Sequence, residues 1–333
     1  MKASAQVVAE ADGRNGTRLA VLRGESPLLL RRTGARTGAG VTLHLVGGAA
    51  GPLRGDDLRL EITVGPGAEL EIRSVAAQLA LPGRADLPPS RLELHASVAA
   101  GATLRWLPEP LIAAAGCDHH TVTHVEVAAG GVLLWRDDLV CGRHAEPSGN
   151  VKTTTTIRYA GKTLYRHDLS VGPAAPAWSA AAVLGSGRAV GTLVAAAPTS
   201  AALPLPASLL ASPPAPQPAS PPAPQPASTP VSQPASPPVS PSAALPASNG
   251  VVGDVALMRL AGPGVVITAV GADIRQVRAA LDPLCAAGEG RAAAEPLAAA
   301  PLAAAVLAAE RLAVEAGSAR RGHASFPVTT RGA

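Results

Sequence analysis

A seven-residue pattern, Val-x-x-Gly-x-x-Leu, occurs three times in the chain: VGPGAEL at residues 64–70, VAAGATL at 98–104 and VAAGGVL at 127–133. In each copy a strand is predicted to end, the chain to turn at the glycine, and another strand to start. A large side chain follows two residues after each leucine, at Ile72, Trp106 and Trp135. Strand–turn–strand units that recur at such intervals are typical of stacked sheet layers in β-solenoid-like folds. Three similar hairpins in a β-sandwich would produce the same pattern.

Strict alternation of apolar and polar residues surrounds these copies. It runs from Leu58 to Val64 and from Leu92 to Val98, as expected for half-buried strands. Short strands separated by glycine and proline continue to about Ala197, without an amphipathic helix. We therefore predict an all-β fold, mainly β with about two helices, built as a stacked-sheet, β-solenoid-like scaffold with a disordered Pro-rich loop insertion.

The insertion divides the predicted scaffold into two parts. Residues 1–197 form the first part, and residues 198–249 form the Pro/Ala/Ser-rich insert. The octapeptide ASPPAPQP at 211–218 recurs at 219–226. Because proline lacks the N–H group that helices and sheet interiors need, this segment is predicted to be extended and disordered.

Regular structure is predicted to resume after the insert, where residues 250–287 complete the same domain. A hairpin is expected from Val255 to Thr268, followed by a helix from Ile274 to Leu284 with Asp273 as its N-cap. Residues 288–333 form an Ala-rich tail that is expected to be partly disordered, with one short helix over 302–316.

Composition indicates what the core consists of and which class of partner the chain does not suit. Hydrophobic residues make up 47% of the 333 residues and aromatic residues only 2%, so the core must consist of aliphatic side chains. The net charge of +4 is scattered, which argues against nucleic-acid binding.

Three widely spaced cysteines fit a reducing compartment. Without a signal peptide or membrane span in the sequence, we expect a cytoplasmic protein.

The densest group of potential metal ligands is Cys117–His120 (Cys-Asp-His-His), with His124 and Glu126 downstream. The intervening Thr121–Thr123 favours a strand, on which His120 and His124 would lie about 13 Å apart. This distance is too long for one metal ion, so the alternatives are transient contact with nickel or zinc and solvated histidines on a strand surface.

A second cluster, Trp135–Asp138 followed by Cys141–Glu146, brings carboxylates close to arginine and histidine. Such groups could perform acid–base chemistry or line an ion path, or simply end a strand in a solvated turn. The glycines of Gly185–Gly191 have the spacing G-x-G-x-x-x-G, which does not match a nucleotide-binding loop. Neither a Walker motif nor a G-x-S-x-G elbow is present, so neither a nucleotide-driven nor a serine-hydrolase activity is expected.

Several segments in order resemble the urease accessory protein UreD family, also called UreH, in its actinobacterial form. Trp106-Leu107-Pro108-Glu109-Pro110 stands where the family has W-L-P-Q-E. The resemblance covers roughly 41–194 and 253–284. The segments that carry it are Val41–Gly47, Gly51–Asp57, Val64–Ala68, Arg73–Gln78, Trp106–Pro110, Trp135 with Cys141–Arg143, and Val183–Gly185 with Ala189–Leu193.

The resemblance implies a largely β fold and a chaperone that is not an enzyme. Such a protein would bind apo-urease and, with UreF and the GTPase UreG, deliver nickel to the urease active site. It would have no cofactor of its own, with nickel in transit along a water-filled path. A homodimer could form through the complex with UreF and UreG.

The acidic and histidine clusters supply the side chains that we expect to contact nickel along such a path or to lie at an interface with a partner protein. Arg143 and His144 are expected to order the turn in which they lie. The candidate residues are Asp56, Asp57, Glu109, Asp137, Asp138, Glu146, His119 and His120.

The sequence leaves two alternative functions open. A β-solenoid hydrolase acting on carbohydrate would need a groove with two carboxylates and aromatic platforms. A free-standing metal-binding protein would use the segment from Cys117 to His124.

Overall fold

The computed structural model describes residues 1–33, 40–199, 202–206 and 254–286. Within these ranges it contains strands β1 to β17 and helix α1. The first eight strands are β1 Lys2–Ala11, β2 Thr17–Gly24, β3 Leu28–Thr33, β4 Val41–Gly47, β5 Asp57–Val64, β6 Glu69–Ser74, β7 Gln78–Ala80 and β8 Ser90–Val98. The remaining elements are β9 Thr103–Leu107, β10 Leu111–Ala113, β11 Asp118–Val127, β12 Val132–Val140, β13 Asn150–Tyr159, β14 Lys162–Val171, β15 Ala189–Ala196, β16 Asp254–Arg259, β17 Gly264–Gly271 and α1 Ile274–Ala286.

The strands form two large sheets that face each other. The first has the order β14-β13-β11-β8-β5-β1-β2, and the second has the order β16-β17-β15-β12-β9-β6-β4-β3. A short third face is made by β7, β10 and the end of β12, where Leu111 pairs with Leu139. The central strands of each large sheet are parallel to their neighbours.

This connectivity is that of a β-solenoid. The chain passes from the first sheet to the second and, by way of the third face, returns to the first one strand further along. The coil makes about four turns. The predicted all-β, stacked-sheet, β-solenoid-like fold is therefore confirmed.

The repeated pattern of the sequence lies at the same corner of three successive turns. Val64, Val98 and Val127 are in register on adjacent strands of the first sheet, and the three leucines are in register on the second. The chain turns between them at glycines with positive φ, +68° at Gly67, +69° at Gly101 and +85° at Gly130. Side chains with a Cβ atom rarely adopt this conformation, which explains why each copy keeps its glycine.

Antiparallel strands close both ends of the parallel stack. At one end β2 pairs with β1 and β3 pairs with β4. At the other end β14 pairs with β13, and β15, β17 and β16 extend the second sheet. The hairpin predicted after the insert is confirmed as β16 and β17, which rejoin the same sheet.

Helix α1 packs on the outer face of the second sheet. Its buried residues Val277, Leu281 and Leu284 meet apolar residues of β12, β15 and β17. The Asp273 carboxylate accepts hydrogen bonds from the backbone N–H groups of Arg275 (2.9 Å) and Gln276 (3.2 Å), which confirms the predicted N-cap. The helix continues through Pro283 to Ala286, two residues beyond the predicted end.

The described residues include the beginning of the predicted insert. Leu203 and Leu205 are buried against the cluster under α1, so packed structure continues past the predicted boundary at residue 197. Residues 207–253, the tail from residue 287 and the helix predicted over 302–316 lie outside the described residues. No helix in the described part of the chain is long and apolar enough to cross a membrane.

Candidate functional site

A cavity of about 500 Å³ lies between the two large sheets. It crosses β5, β8, β11, β13 and β14 of the first sheet, a distance of roughly 20 Å at the usual strand spacing. Exposed loop residues such as Val75 border it on one side, so the cavity reaches the molecular surface there. At the other end it is bounded by the inward-facing side chains of β14, an edge strand.

The cavity wall changes from apolar to polar along the stack of strands. Near β5 and β8 the first sheet contributes leucines: Leu58, Leu60, Leu92 and Leu94. Towards β14 the wall carries hydroxyl, imidazole and carboxyl groups: Thr121, Thr153, Thr155, Tyr165, His167, Thr192 and Asp137. Hydroxyl and imidazole groups at these inward positions can form hydrogen bonds with water or coordinate a cation, whereas the leucines at the other end cannot.

Asp137 lies at the corner of the coil, between the part of β12 that pairs with β9 and the part that pairs with β10. Its Oδ2 accepts a hydrogen bond from Nε1 of Trp135 at 2.8 Å, and its Oδ1 accepts a longer one from Nε1 of Trp106 at 3.4 Å. The two indole rings are stacked, with centroids 5.0 Å apart. The carboxyl group thus faces the cavity with one indole N–H donor at each of its oxygens.

The surroundings of Asp137 make its ionised form costly. Burial raises its pKa to about 6, although the two indole N–H donors act in the opposite direction. No ion pair to Asp137 is found among the described residues. Burial and the negative charge of Asp137 also raise the pKa of Tyr165 to about 12, and the Tyr165 hydroxyl is hydrogen-bonded to Thr192. Asp137 is therefore a carboxyl group inside the protein that no cationic side chain of the described residues neutralises.

Asp138 lies on the opposite side of β12, because successive side chains of a strand point to opposite faces. It is buried beneath α1, where Nη2 of Arg136 is 2.7 Å from its Oδ2. Arg136 also bonds Asp282 of α1 at 2.6 Å. Burial disfavours the charged guanidinium, but the hydrogen bonds to Asp138 and Asp282 outweigh this cost and raise the pKa of Arg136. This network ties α1 to the sheet.

Glu109 borders the cavity from the loop that follows β9. Its carboxylate forms an ion pair with Arg278 of α1, and both side chains are partly exposed. Of the predicted residues, the structure thus brings Asp137, Asp138 and Glu109 to the cavity and its wall. Within that group, the charges of Glu109 and Asp138 are neutralised by arginines.

Three other predicted carboxylates lie away from the cavity. Asp56 is buried and accepts hydrogen bonds from the Met1 amine and the Leu53 N–H, both at 2.9 Å. Asp57 is exposed, with Nζ of Lys2 at 3.6 Å. Glu146 lies in the turn after β12, where hydrogen bonds from Arg143 lower its pKa to about 2.

The predicted histidines point in opposite directions from β11. His119 is fully buried between Ser90 (Nδ1 to Oγ 2.9 Å) and Thr121 (Nε2 to Oγ1 3.1 Å), and burial lowers its pKa to about 4. His120 is on the outer face, with its Nε2 4.0 Å from Asp118. The described part of the chain contains no group of three or more His, Cys, Asp or Glu side chains that could together hold a metal.

Sequence reasoning missed the polar groups that share the cavity with Asp137. Tyr165 and His167 alternate with outward residues along β14, and burial lowers the pKa of His167, which favours the neutral imidazole. On β11, Thr121 lines the cavity, and Thr123, two residues further, points to the same side of the strand. Thr123 is buried, and its hydroxyl has no hydrogen-bond partner among the described residues. The signal that could have revealed these groups is the presence of polar residues at inward positions of the strands, where apolar residues are expected.

Taken together, the fold and the site define a β-solenoid scaffold with a carboxylate-bearing internal cavity. A family model described as "UreD urease accessory protein" matches residues 1–303. The chain therefore belongs to the UreD urease accessory protein family.

Curated relatives agree with this assignment. The chain is 39% identical to "Urease accessory protein UreD 3" of Streptomyces griseus subsp. griseus over 284 residues, which cover 85% of this chain and 95% of the relative. It is 35% identical to "Urease accessory protein UreD" of Parafrankia sp. over 318 residues, 89% of this chain and 92% of the relative. A third relative, from Streptomyces avermitilis, is 43% identical over 63% of this chain and 83% of its own length.

Proposed function

We propose that this protein assists the insertion of nickel into apo-urease and that its internal cavity forms part of the path of the ion. Membership of the urease accessory protein family supports a role in urease maturation. The observation that carries the proposal is the Asp137 carboxyl group, which faces the cavity without an ion pair among the described residues. A passing divalent cation would supply the charge that this carboxylate lacks.

The donor groups around the cavity suit a nickel ion that keeps part of its water shell. Carboxylate oxygen, threonine and tyrosine hydroxyls and a neutral imidazole are ligands compatible with Ni²⁺. One carboxylate attracts the cation, whereas a cluster of several would hold it tightly. The Asp137 end of the cavity therefore favours transfer over storage.

We further propose that the protein acts as a scaffold that links urease to UreF and to the GTPase UreG. In this role it needs no cofactor of its own, performs no catalysis and works in the cytoplasm, and its copies are brought together through the complex. The ions in the path are cargo, supplied and removed by the partner proteins.

The alternative functions receive less support from the geometry. A carbohydrate hydrolase needs two catalytic carboxylates on the same cleft. Asp138 lies on the opposite face of β12 from Asp137, and Glu109 at the cavity border is paired with Arg278. A metal buffer built on His119 and His120 would need both imidazoles at one ion, yet one is buried and the other is outside.

Co-purification tests the proposed scaffold role. The full-length chain, carrying an affinity tag, is co-expressed with UreF, UreG and the urease subunits and isolated under mild conditions. We expect all partners to be retained, and omission of UreF to remove UreG from the isolated complex. Recovery of the tagged chain without any of these proteins would contradict the proposal.

A further inference from the structure

We propose that Trp106 and Trp135 are positioning residues whose indole N–H groups hold the Asp137 carboxyl group in place at the cavity wall. The consequence for cation transfer rests on the proposed function, whereas the hydrogen-bonded arrangement itself does not. Neither tryptophan needs to touch the cation, because each acts through the carboxyl group.

The hydrogen-bond pattern gives each carboxyl oxygen one indole donor. Oδ2 receives the N–H of Trp135 at 2.8 Å, and Oδ1 receives that of Trp106 at 3.4 Å. Since a carboxylate oxygen can accept about two hydrogen bonds, each oxygen keeps acceptor capacity for a ligand in the cavity. Donors on both oxygens also oppose rotation of the group, so the remaining acceptor directions stay fixed.

The register of the strands shows why both tryptophans reach the same carboxyl group. Trp106 and Trp135 are paired residues of β9 and β12, and their rings stack with an interplanar angle of 16°. Residue 137 lies two positions after Trp135 and therefore on the same face of the strand. The indole edges converge on the carboxyl group because stacking aligns the two rings.

The preceding turn of the coil shows that core packing at this row does not require tryptophan. Ile72 occupies the same row as the two tryptophans, one strand further from Asp137. Two residues after Ile72 and Trp106 the chain has Ser74 and Pro108, which carry no charge. Indole side chains thus occur at the two positions of this row whose N–H groups reach the carboxyl group, whereas Ile72 and Val194, the flanking residues of the same row, have no N–H donor in their side chains.

The first part of the test needs no metal. The chain contains three tryptophans, so ¹⁵N-tryptophan labelling of the full-length protein yields three indole N–H signals. Trp178 lies in the turn-rich segment after β14, outside the cavity lining, and serves as the internal reference. Single Trp→Phe variants assign the signals.

In the Asp137→Asn protein, we expect the Trp106 and Trp135 signals to shift upfield and their N–H protons to exchange faster with D₂O, while Trp178 stays unchanged. Because this variant leaves both tryptophans in the core, it avoids the risk that a Trp→Phe variant fails to fold. If neither signal responds to Asp137→Asn, the positioning role is overturned, whatever the protein does with nickel.

The second part adds Ni²⁺, which is paramagnetic and broadens signals of nearby protons. We expect the Trp106 and Trp135 signals to broaden before that of Trp178, and this selectivity to disappear in Asp137→Asn. In Trp135→Phe, loss of the charge-assisted hydrogen bond should raise the Ni²⁺ concentration that broadens Trp106 by about tenfold. An unchanged concentration in folded Trp135→Phe would overturn the positioning role.

The two parts distinguish failure of the inference from failure of the proposed function. Indole signals that respond to Asp137→Asn but show no selective broadening by Ni²⁺ would leave the hydrogen-bonded geometry intact and contradict a nickel path at Asp137.

Discussion

Asp137 and Asp138 are adjacent in the sequence but occupy opposite environments. Asp137 faces the internal cavity between two indole N–H groups, and Asp138 is buried under α1 beside Arg136. The sequence cluster suggested paired carboxylates. Alternation along β12 separates them, so one carboxylate is left for the cavity and the other for holding the helix.

The Asp137→Asn substitution is expected to stabilise the metal-free protein near neutral pH. Burial raises the pKa of Asp137 from 3.8 to about 6. The carboxyl group of the unfolded chain therefore loses its proton at lower pH than that of the folded chain. Asp137 does not destabilise the folded wild type below pH 3.8, where the group is protonated in both states. This advantage is lost as the pH rises through about 6, because the folded protein must then hold a buried charge. The variant should gain at most about 3 kcal/mol over the wild type.

Urea unfolding of both proteins at about pH 4 and pH 7.5 measures this difference. The gain should be present at the higher pH and small at the lower one. Asp57→Asn, which removes an exposed carboxylate from the outer face, is the matched control and should change little at either pH. An equal gain for Asp137→Asn at both pH values would show that ionisation of Asp137 is not its cause.

At the scale of elements, α1 is attached to the second sheet by ionic contacts as well as by apolar packing. Arg136 bridges Asp138 and Asp282, and Arg105 donates to the Cys285 carbonyl at 2.5 Å, at the end of the helix. The last turn of α1 has no basic residue of its own. An arginine from the sheet therefore provides the positive charge that stabilises a helix C-terminus.

Arg136→Met should destabilise the protein by about 3 to 5 kcal/mol, because it leaves Asp138 buried without its cation. The double variant Arg136→Met/Asp138→Asn should recover part of this loss. Arg18→Met, which breaks an exposed ion pair with Glu10, should cost less than about 1 kcal/mol in the same urea titrations. A loss for Arg136→Met as small as that for Arg18→Met would contradict the network.

Gly191→Ala should weaken the packing of α1 on β15. A Cβ atom at this position would lie 2.5 Å from both Oδ1 of Asp138 and Cγ1 of Val277. We expect a loss of about 2 kcal/mol in the free energy of unfolding. Gly47→Ala is the matched control, since the nearest atom to its Cβ would be 3.8 Å away. Equal stability of the two variants would show that α1 does not approach β15 this closely.

The repeated strands and turns were predictable from the sequence because the signals that specify them lie close together along the chain. Glycines with positive φ and alternating strand residues act within a few positions, so the copies at residues 64, 98 and 127 indicated their own stacking. The cavity was not predictable in the same way. It depends on which inward side chains of distant strands face each other, such as Tyr165 and Asp137, and no local pattern reports that pairing.

At the scale of the whole molecule, a coil of parallel strands is closed at both ends by antiparallel hairpins. The second closure brings β14, β15 and β17 beside β12 and β13, and thereby places the polar residues of β14 and β15 around Asp137. The chain beyond the insert is therefore part of the same scaffold, and α1 covers its outer face. The cavity therefore depends on this closure, and no single turn of the coil forms it.

Nickel loading of urease tests the central claim most directly. Urease is co-expressed with UreF, UreG and either the wild-type chain, Asp137→Asn or Asp57→Asn, and its nickel content is measured by elemental analysis after purification. Pull-down from the same cells checks that each variant still assembles. We predict that Asp57→Asn supports full loading, whereas Asp137→Asn assembles normally but lowers nickel content by an order of magnitude. Full nickel loading of urease by Asp137→Asn would contradict a nickel path through this cavity.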